Sequence, residues 1–556
     1  MNMLDYDPKE LFGFVPDHEQ LAAIQAPFGV NVVLAGPGAG KSTVIVCRIL
    51  YLAKVRKVNT RDITVLVFNR DAKESLSRRL KVVCDRLNLL PPEVCTIHSK
   101  CYQIVRTNNF RQIAIEEKGL DWYRQKLGKD FITEDIRKGD YERLAATISK
   151  IRENNLNPGG IIDPTFGALD RVLELLEDGE GDEKLSFDEM SPKALRFLKQ
   201  GKGSKVPHLL VDEAQDITET QFRIIETLGQ QDIFMVGDGD QCIYGFRHAS
   251  SRYIDCPEEY FSKFTKFYIG TNYRSTKQVV DLSSDFINKL NPGRKRPILR
   301  AVEGKVGPTP EIRVVSRQKD QFRMVRDAWE DCNINDQSLC VIYRNNSTAV
   351  ALANFLISNG LWANHIGGGG DFFSLPVIRD ILVKVKRFAY GTGEVMLSPE
   401  ELVRHIAVST GIISEVSKVA VYERMQKTNF IHDYMLLLEI ASSCRSIKEF
   451  LERIEKIKGL LSNKGQGKMT IATAHSVKGL EFHTVFVIDM VQGVFPAIQG
   501  EEKDLEGEAR LMYVAMTRAT NRLVMTYPEI IRGRPCEKSE FLALLLEILN
   551  KSKGGH

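Results

Sequence analysis

Short apolar runs bounded by turn residues recur at 32–35, 63–68, 209–211, 233–236, 339–343, 485–488 and 523–527. They are apolar on both faces and followed by helical patterns. That combination predicts buried strands in parallel sheets, with helices as the crossovers. The runs form an early and a late group, and the stretches 107–196 and 390–467 show helical periodicity without any such run. The expected architecture is therefore α/β: two parallel-sheet domains, each with a mainly helical insertion. The division predicted is 1–106 with 197–265, an insertion at 107–196, then 266–389 with 468–546, a shorter insertion at 390–467 and a tail at 547–556. GEGDEK at 179–184 and NKGQGK at 463–468 read as loops.

A chain of 556 residues is too long for one core. Its 43% hydrophobic and 27% charged residues belong to the ordinary globular class. Lys and Arg total 76 against 72 Asp and Glu, so a net charge of +4 gives no general pull on nucleic acid. Any such contact has to be a local groove. The ten cysteines include no CxxC pair, which argues against a zinc ribbon, and they read as free thiols of a cytoplasmic protein. The opening MNMLDYDPKE lacks an apolar signal region, and no apolar run approaches the ~18 residues of a membrane span.

Candidate chemistry starts at Ala35, Gly36, Pro37, Gly38, Ala39, Gly40, Lys41, Ser42 and Thr43, a glycine-rich turn between an apolar strand and a helix. Glycines let backbone N–H groups close around phosphate, Lys41 suits the β and γ phosphates of ATP, and the Ser42 hydroxyl suits Mg²⁺. The pattern usually begins with Gly where Ala35 stands. LLVDEAQDIT at 209–218 delivers Asp212 and Glu213 at the end of a strand, where such sheets bind ligands. Asp212 suits a second ligand to Mg²⁺, and Glu213 a base that orients the attacking water.

The sequence resembles the UvrD/Rep/PcrA family of superfamily 1A helicases, motif after motif in order. VPDHEQ resembles the Q motif, which implies Gln20 on adenine. VFNRDAKESL around Phe68 and TIHS at 96–99, with Thr96 and His98, look like motifs Ia and Ib of the DNA groove. VGDGDQCIYGFR at 236–247 is similar to motif III, implying a γ-phosphate sensor at Gln241 and DNA contacts from Tyr244, Phe246 and Arg247. NYRS at 272–275 resembles motif IV, with Tyr273 on adenine and Arg274 on the γ-phosphate. TAHSVKGLEF at 473–482 resembles motif V, with Thr473 and His475 toward DNA and Glu481 toward the ribose. YVAMTRA at 513–519 resembles motif VI, with Arg518 as a second arginine finger.

The resemblance implies two RecA-like P-loop domains and an ATP- and Mg²⁺-dependent DNA helicase that moves 3′ to 5′ on single-stranded DNA and opens tailed duplexes. It departs from the family at Thr43, where an adenine-clamping Arg is common, at His248, where Gly is usual, and in the short second insertion. The alternative is a single-strand translocase, or the ATPase subunit of a repair or anti-phage assembly, that does not unwind by itself. The insertions are then candidate surfaces for a protein partner. Arg294, Lys295, Arg296 and Arg300, and Lys456 with Lys458, are candidate phosphate patches, against a plain reading as solvated charge.

Overall fold

The computed structural model describes residues 7–108, 114–115, 184–185, 187–367, 370–389, 397–409, 424–463, 467–497 and 504–554. The chain forms two compact units, Met1–Tyr273 with Gly293–Leu299, and Arg274–Pro292 with Arg300–His556. All seven apolar runs become strands.

The first unit holds six parallel strands: β1 Val30–Ala35, β2 Ile63–Val67, β3 Glu93–Thr96, β4 Val206–Val211, β5 Gly229–Gly237 and β6 Thr265–Ile269. Their order across the sheet is β3-β2-β4-β5-β1-β6. Both faces are covered, which is why β1 and β2 are apolar without alternation. Helix Lys41–Leu50 packs on one face through Val44, Ile45 and Ile49. On the other, helices Ile97–Asn108 and Phe187–Lys199 contribute Cys101, Val105, Ala194 and Leu195 to the core that holds Leu209 and Val211. Residues 187–196, assigned by their periodicity to the first insertion, thus belong to this core. The GEGDEK loop lies outside the described residues save Lys184, as do residues 464–466 of NKGQGK.

One buried ion pair fastens this sheet to its helices. Arg48, in the last turn of helix Lys41–Leu50, meets Asp232 at the start of β5 at 2.9 Å, with both side chains fully buried. Arg48 Nη1 also donates to the Ile24 and Ala26 carbonyls, and Asn31 Nδ2 donates to Asp232 Oδ1. Burial lowers the pKa of Arg48, and Asp232 opposes that shift.

The second unit repeats the plan with β7 Glu311–Arg317, β8 Leu339–Tyr343, β9 Asn364–Ile366, β10 Met469–Thr473, β11 Phe482–Val487 and β12 Ala519–Ile531. All are parallel in the order β7-β12-β11-β8-β10-β9, and Arg534–Pro535 folds back antiparallel on β12. Helices Pro399–Ser409 and Ile447–Ser462, from the second predicted insertion, bury Leu402, Ile406, Phe450 and Ile457 in one core with Val341 and Ile471. Asp489, just beyond β11, accepts from Gln318 Nε2, Gln321 Nε2 and Thr348 Oγ1, tying two helices to the sheet. The last helix, Glu540–Gly554, takes in residues 547–554 of the predicted tail.

Asp232→Ala is expected to destabilise the first unit by about 3–5 kcal/mol, because it strands a buried guanidinium. Denaturant unfolding of the variant beside the parent checks this. A midpoint shift worth under about 1 kcal/mol would show that the pair contributes little.

Candidate nucleotide and nucleic-acid sites

Parallel pairing puts the carboxyl ends of all six strands of the first unit on one edge. Strand order then arranges the candidate residues along it: Tyr273 beyond β6, the glycine-rich loop after β1, Asp238 after β5, Asp212 after β4, Phe68 after β2 and Thr96 at the end of β3. Brought together at one end are nucleotide candidates distant in sequence, and toward the other end, nucleic-acid candidates.

Ala35 is the last residue of β1 and pairs with Ile269, so this position asks for no glycine. Gly38 and Gly40 do need their freedom, with φ of 69° and 77°. Gly40 is the N-cap of helix Lys41–Leu50, whose first amides face the loop. Lys41 Nζ folds back toward the Ala35 and Gly36 carbonyls at 3.4 and 3.5 Å. Ser42 Oγ lies 3.4 Å from Asp212 Oδ2. Burial, and then repulsion from Glu213, push the Asp212 carboxyl up to about 7, with Lys41 opposing.

Gln20 closes the loop from behind: Nε2 donates to the Ala39 carbonyl at 3.0 Å, and Oε1 accepts from the Asp17 N–H. Asn272 Nδ2 donates to the Pro37 carbonyl, Tyr273 N–H to the Gly38 carbonyl, and Tyr273 Oη to Asp17 Oδ2 at 2.7 Å. Tyr273 keeps an exposed ring beside the loop. Thr43, where the resemblance leads one to expect Arg, accepts from Arg79 Nη2 at 2.9 Å. A guanidinium is therefore present at that point, from a helix 36 residues further on.

Glu213 has φ 51°, left-handed for a residue with a Cβ. Gln215, which the motif reading passed over, donates to it through Nε2 at 2.5 Å. Gln241 is buried and donates to Asp238 Oδ2 at 2.7 Å.

Phe68 and Tyr244 stack with ring centroids 5.1 Å apart and planes 20° off parallel, and the Arg247 guanidinium sits 5.9 Å from the Tyr244 ring. Phe246 lies in the same turn, Gly245–Arg247. His248 ends that turn at φ 63°, the conformation glycine adopts without cost, which accounts for glycine being usual there. Thr96 Oγ1 accepts from the Ser99 N–H, a helix-capping contact. His98 is partly buried, and burial lowers its pKa.

In the second unit the candidates divide between opposite edges of the sheet. Thr473 ends β10 with His475 just beyond, whereas Glu481 and Arg518 precede β11 and β12. Arg274 pairs with Glu481 at 2.8 Å, while Ser275 Oγ donates to the Ala519 carbonyl. Arg518 is 1% exposed, its guanidinium donating to the Val514 and Leu480 carbonyls and to Thr517 Oγ1. Reaching a phosphate would mean exchanging those bonds.

Arg294 and Arg296, candidates for a phosphate patch against the plain reading as solvated charge, are neither solvated nor left open to phosphate. Both side chains are about a tenth exposed and are consumed by ion pairs, Arg294 with Asp240 and Asp255 and Arg296 with Asp240. The cause is tertiary: Gly293–Leu299 returns to the first unit, and Asp240 cannot be buried uncompensated. Burial pushes the Asp240 carboxyl up to about 6, against the pull of Arg294. Lys458 pairs with Glu455.

A phosphate loop after one strand and a paired acid after the next-but-one define a P-loop nucleoside-triphosphatase, here with a second parallel sheet in the same chain. The family model described as UvrD/REP helicase N-terminal domain matches residues 17–261, and that described as UvrD-like helicase C-terminal domain matches 267–396 and 413–529. The chain belongs to the UvrD/REP helicase family. The Bacillus subtilis (strain 168) protein YjcD, named as an ATP-dependent DNA helicase, is 24% identical over 95% of this chain and 81% of its own length. The ATP-dependent DNA helicase PcrA of Staphylococcus aureus (strain Mu50) is 23% identical over 96% of this chain and 87% of its own. No helix among the described residues is long and apolar enough to cross a membrane, and none of the ten cysteines is in a disulfide.

Arg294→Ala is expected to cost the first unit about 3 kcal/mol by taking the guanidinium from Asp255 and leaving Asp240 with Arg296 alone, while single-strand affinity moves less than about twofold. Denaturation and fluorescence anisotropy read the two effects separately. Lost affinity with stability intact would restore the phosphate-patch reading.

Proposed function

We propose that this ATP-dependent DNA helicase is a motor that translocates 3′ to 5′ along single-stranded DNA and separates tailed duplexes, working in the cytoplasm. One observation carries the reading. The turn after β5 begins with Asp238, which accepts from Gln241, and ends with Tyr244 stacked on Phe68 and Arg247 over Tyr244. A single short segment thereby spans the nucleotide side and an aromatic platform on which bases can stack.

In this proposal Lys41 neutralises the β and γ phosphates, Gln20 and Tyr273 hold adenine, and Glu481 meets the ribose. Ser42 Oγ and the Asp212 carboxylate form an all-oxygen pair that suits Mg²⁺. Held there, the ion would supply positive charge against the phosphates during transfer. Glu213 orients water and Gln241 senses the γ-phosphate. Arg274 and Arg518 supply transition-state charge. Phe68, Thr96, His98, Tyr244, Phe246 and Arg247 on one unit, and Thr473 and His475 on the other, grip the strand by turns. Each nucleotide advanced against a duplex costs about 1.4 kcal/mol of stacking. Gln241 is followed by Cys242, Ile243 and Tyr244, which supports the 3′ to 5′ DNA class. The insertions are proposed as docking surfaces for a protein partner.

Lys41→Ala is expected to leave under about a tenth of the parent's DNA-stimulated ATP turnover, and Glu213→Gln to bind ATP yet lose about 10²-fold or more in kcat. Loss of binding as severe as loss of turnover would make Glu213 structural. Strand displacement on 3′-tailed, 5′-tailed and RNA substrates is expected to favour the 3′ DNA tail. ATP-driven movement without displacement on any of them would instead support a translocase.

A further inference from the structure

Gln215 has no exposed surface, and the two ends of its amide are committed to two different elements. Nε2 donates to Glu213 Oε2 at 2.5 Å, and Oε1 accepts from the Asp238 N–H at 3.0 Å. Only one orientation of the amide serves both partners, since a backbone N–H needs the oxygen and a carboxylate needs the NH₂. The fit is close. A Cβ on Gly237 would lie 2.5 Å from Gln215 Oε1 and 2.8 Å from Ile254 Cδ1, so any side chain before Asp238 would displace the Gln215 amide or Ile254. On the far side Asp238 accepts from Gln241 Nε2 at 2.7 Å. Glu213, Gln215, Asp238 and Gln241 thus form a continuous bonded chain between the ends of β4 and β5.

From this geometry we infer that Gln215 is a positioning residue for ATP hydrolysis, fixing the Glu213 carboxylate and tying its aim to the turn that carries Gln241 and Tyr244. The inference rests on the role proposed above for Glu213. A left-handed residue persists only where its surroundings over-determine it, and Gln215 is the side chain that ties Glu213 to the neighbouring strand end. A shift of the Asp238 N–H must carry Oε1 with it or break the bond. Either way, the change at the aromatic end of the turn reaches the water-orienting carboxylate without passing through the nucleotide.

The test is steady-state ATP hydrolysis with single-stranded oligothymidylate for Gln215→Met, Gln215→Glu, Glu213→Gln and the double variant Glu213→Gln/Gln215→Met. Met keeps the length of the side chain and removes both bonds. Glu keeps an acceptor for Asp238 and sets a second carboxylate against Glu213. Both single Gln215 variants are expected to lose about tenfold or more in kcat while KM for ATP stays within about threefold, and Met should add nothing to the loss from Glu213→Gln. Binding of a non-hydrolysable ATP analogue, measured on the same preparations, sets the active fraction, so partial misfolding does not imitate the effect. A kcat within about twofold of the parent, or losses that multiply in the double variant, overturns the inference while leaving Glu213 as the base. Parent-like turnover in Glu213→Gln removes the base itself, and the inference with it.

Discussion

Parallel pairing is the constraint on which the rest of this molecule depends. Strands that all run one way must deliver their carboxyl ends to one edge, with helices covering both faces. In the first unit the order β3-β2-β4-β5-β1-β6 sets out Thr96, Phe68, Asp212, Asp238, the phosphate loop and Tyr273 along that edge. Nucleotide chemistry and the aromatic platform are then separated by only a few strand spacings, each about 4.8 Å. A turn as short as Asp238–Arg247 can reach both.

The second unit uses the same constraint in another way. Its nucleotide candidates gather at the amino ends of β11 and β12, through Arg274 with Glu481 and through Arg518, while Thr473 and His475 sit at the carboxyl end of β10. The segment from Thr473 to Phe482 joins the two edges of the sheet. It is the counterpart of the turn after β5, a short stretch whose two ends serve different ligands in the proposed cycle.

Buried charge is the second organising cost. Arg48 and Asp232 are wholly buried, and each is held by further hydrogen bonds, the condition under which such a pair is tolerated. Arg294 and Arg296 do the same for Asp240, fastening the segment Gly293–Leu299 against the turn that holds Gln241. Asp489 relies on neutral donors, Gln318, Gln321 and Thr348, and burial raises its pKa. Removing either member of the Arg48–Asp232 pair would leave the other buried and unmet.

What the sequence alone determined here is whatever depends on local pattern. Apolar runs such as 63–68 and 339–343 must be buried strands wherever the chain takes them, and Gly38, Gly40, Lys41 and Ser42, adjacent residues, form the glycine-rich turn proposed to hold phosphate. Asp212 and Glu213 at a strand end were legible for the same reason. What only the tertiary structure decided is which distant groups meet. Nothing in the run Gly293–Leu299 says that its arginines will neutralise Asp240, and as isolated basic residues they look solvated. Arg79 arriving at Thr43, helix Phe187–Lys199 joining the first core, and Gln215 joining Glu213 to Asp238 were equally hidden. One faint signal did exist, the glycine before Asp238, but its meaning depends on a side chain from the turn after β4. Periodicity reports the environment of a residue along its own element, whereas pairing of polar groups across elements depends on strand order and on the cost of leaving a buried partner unmet.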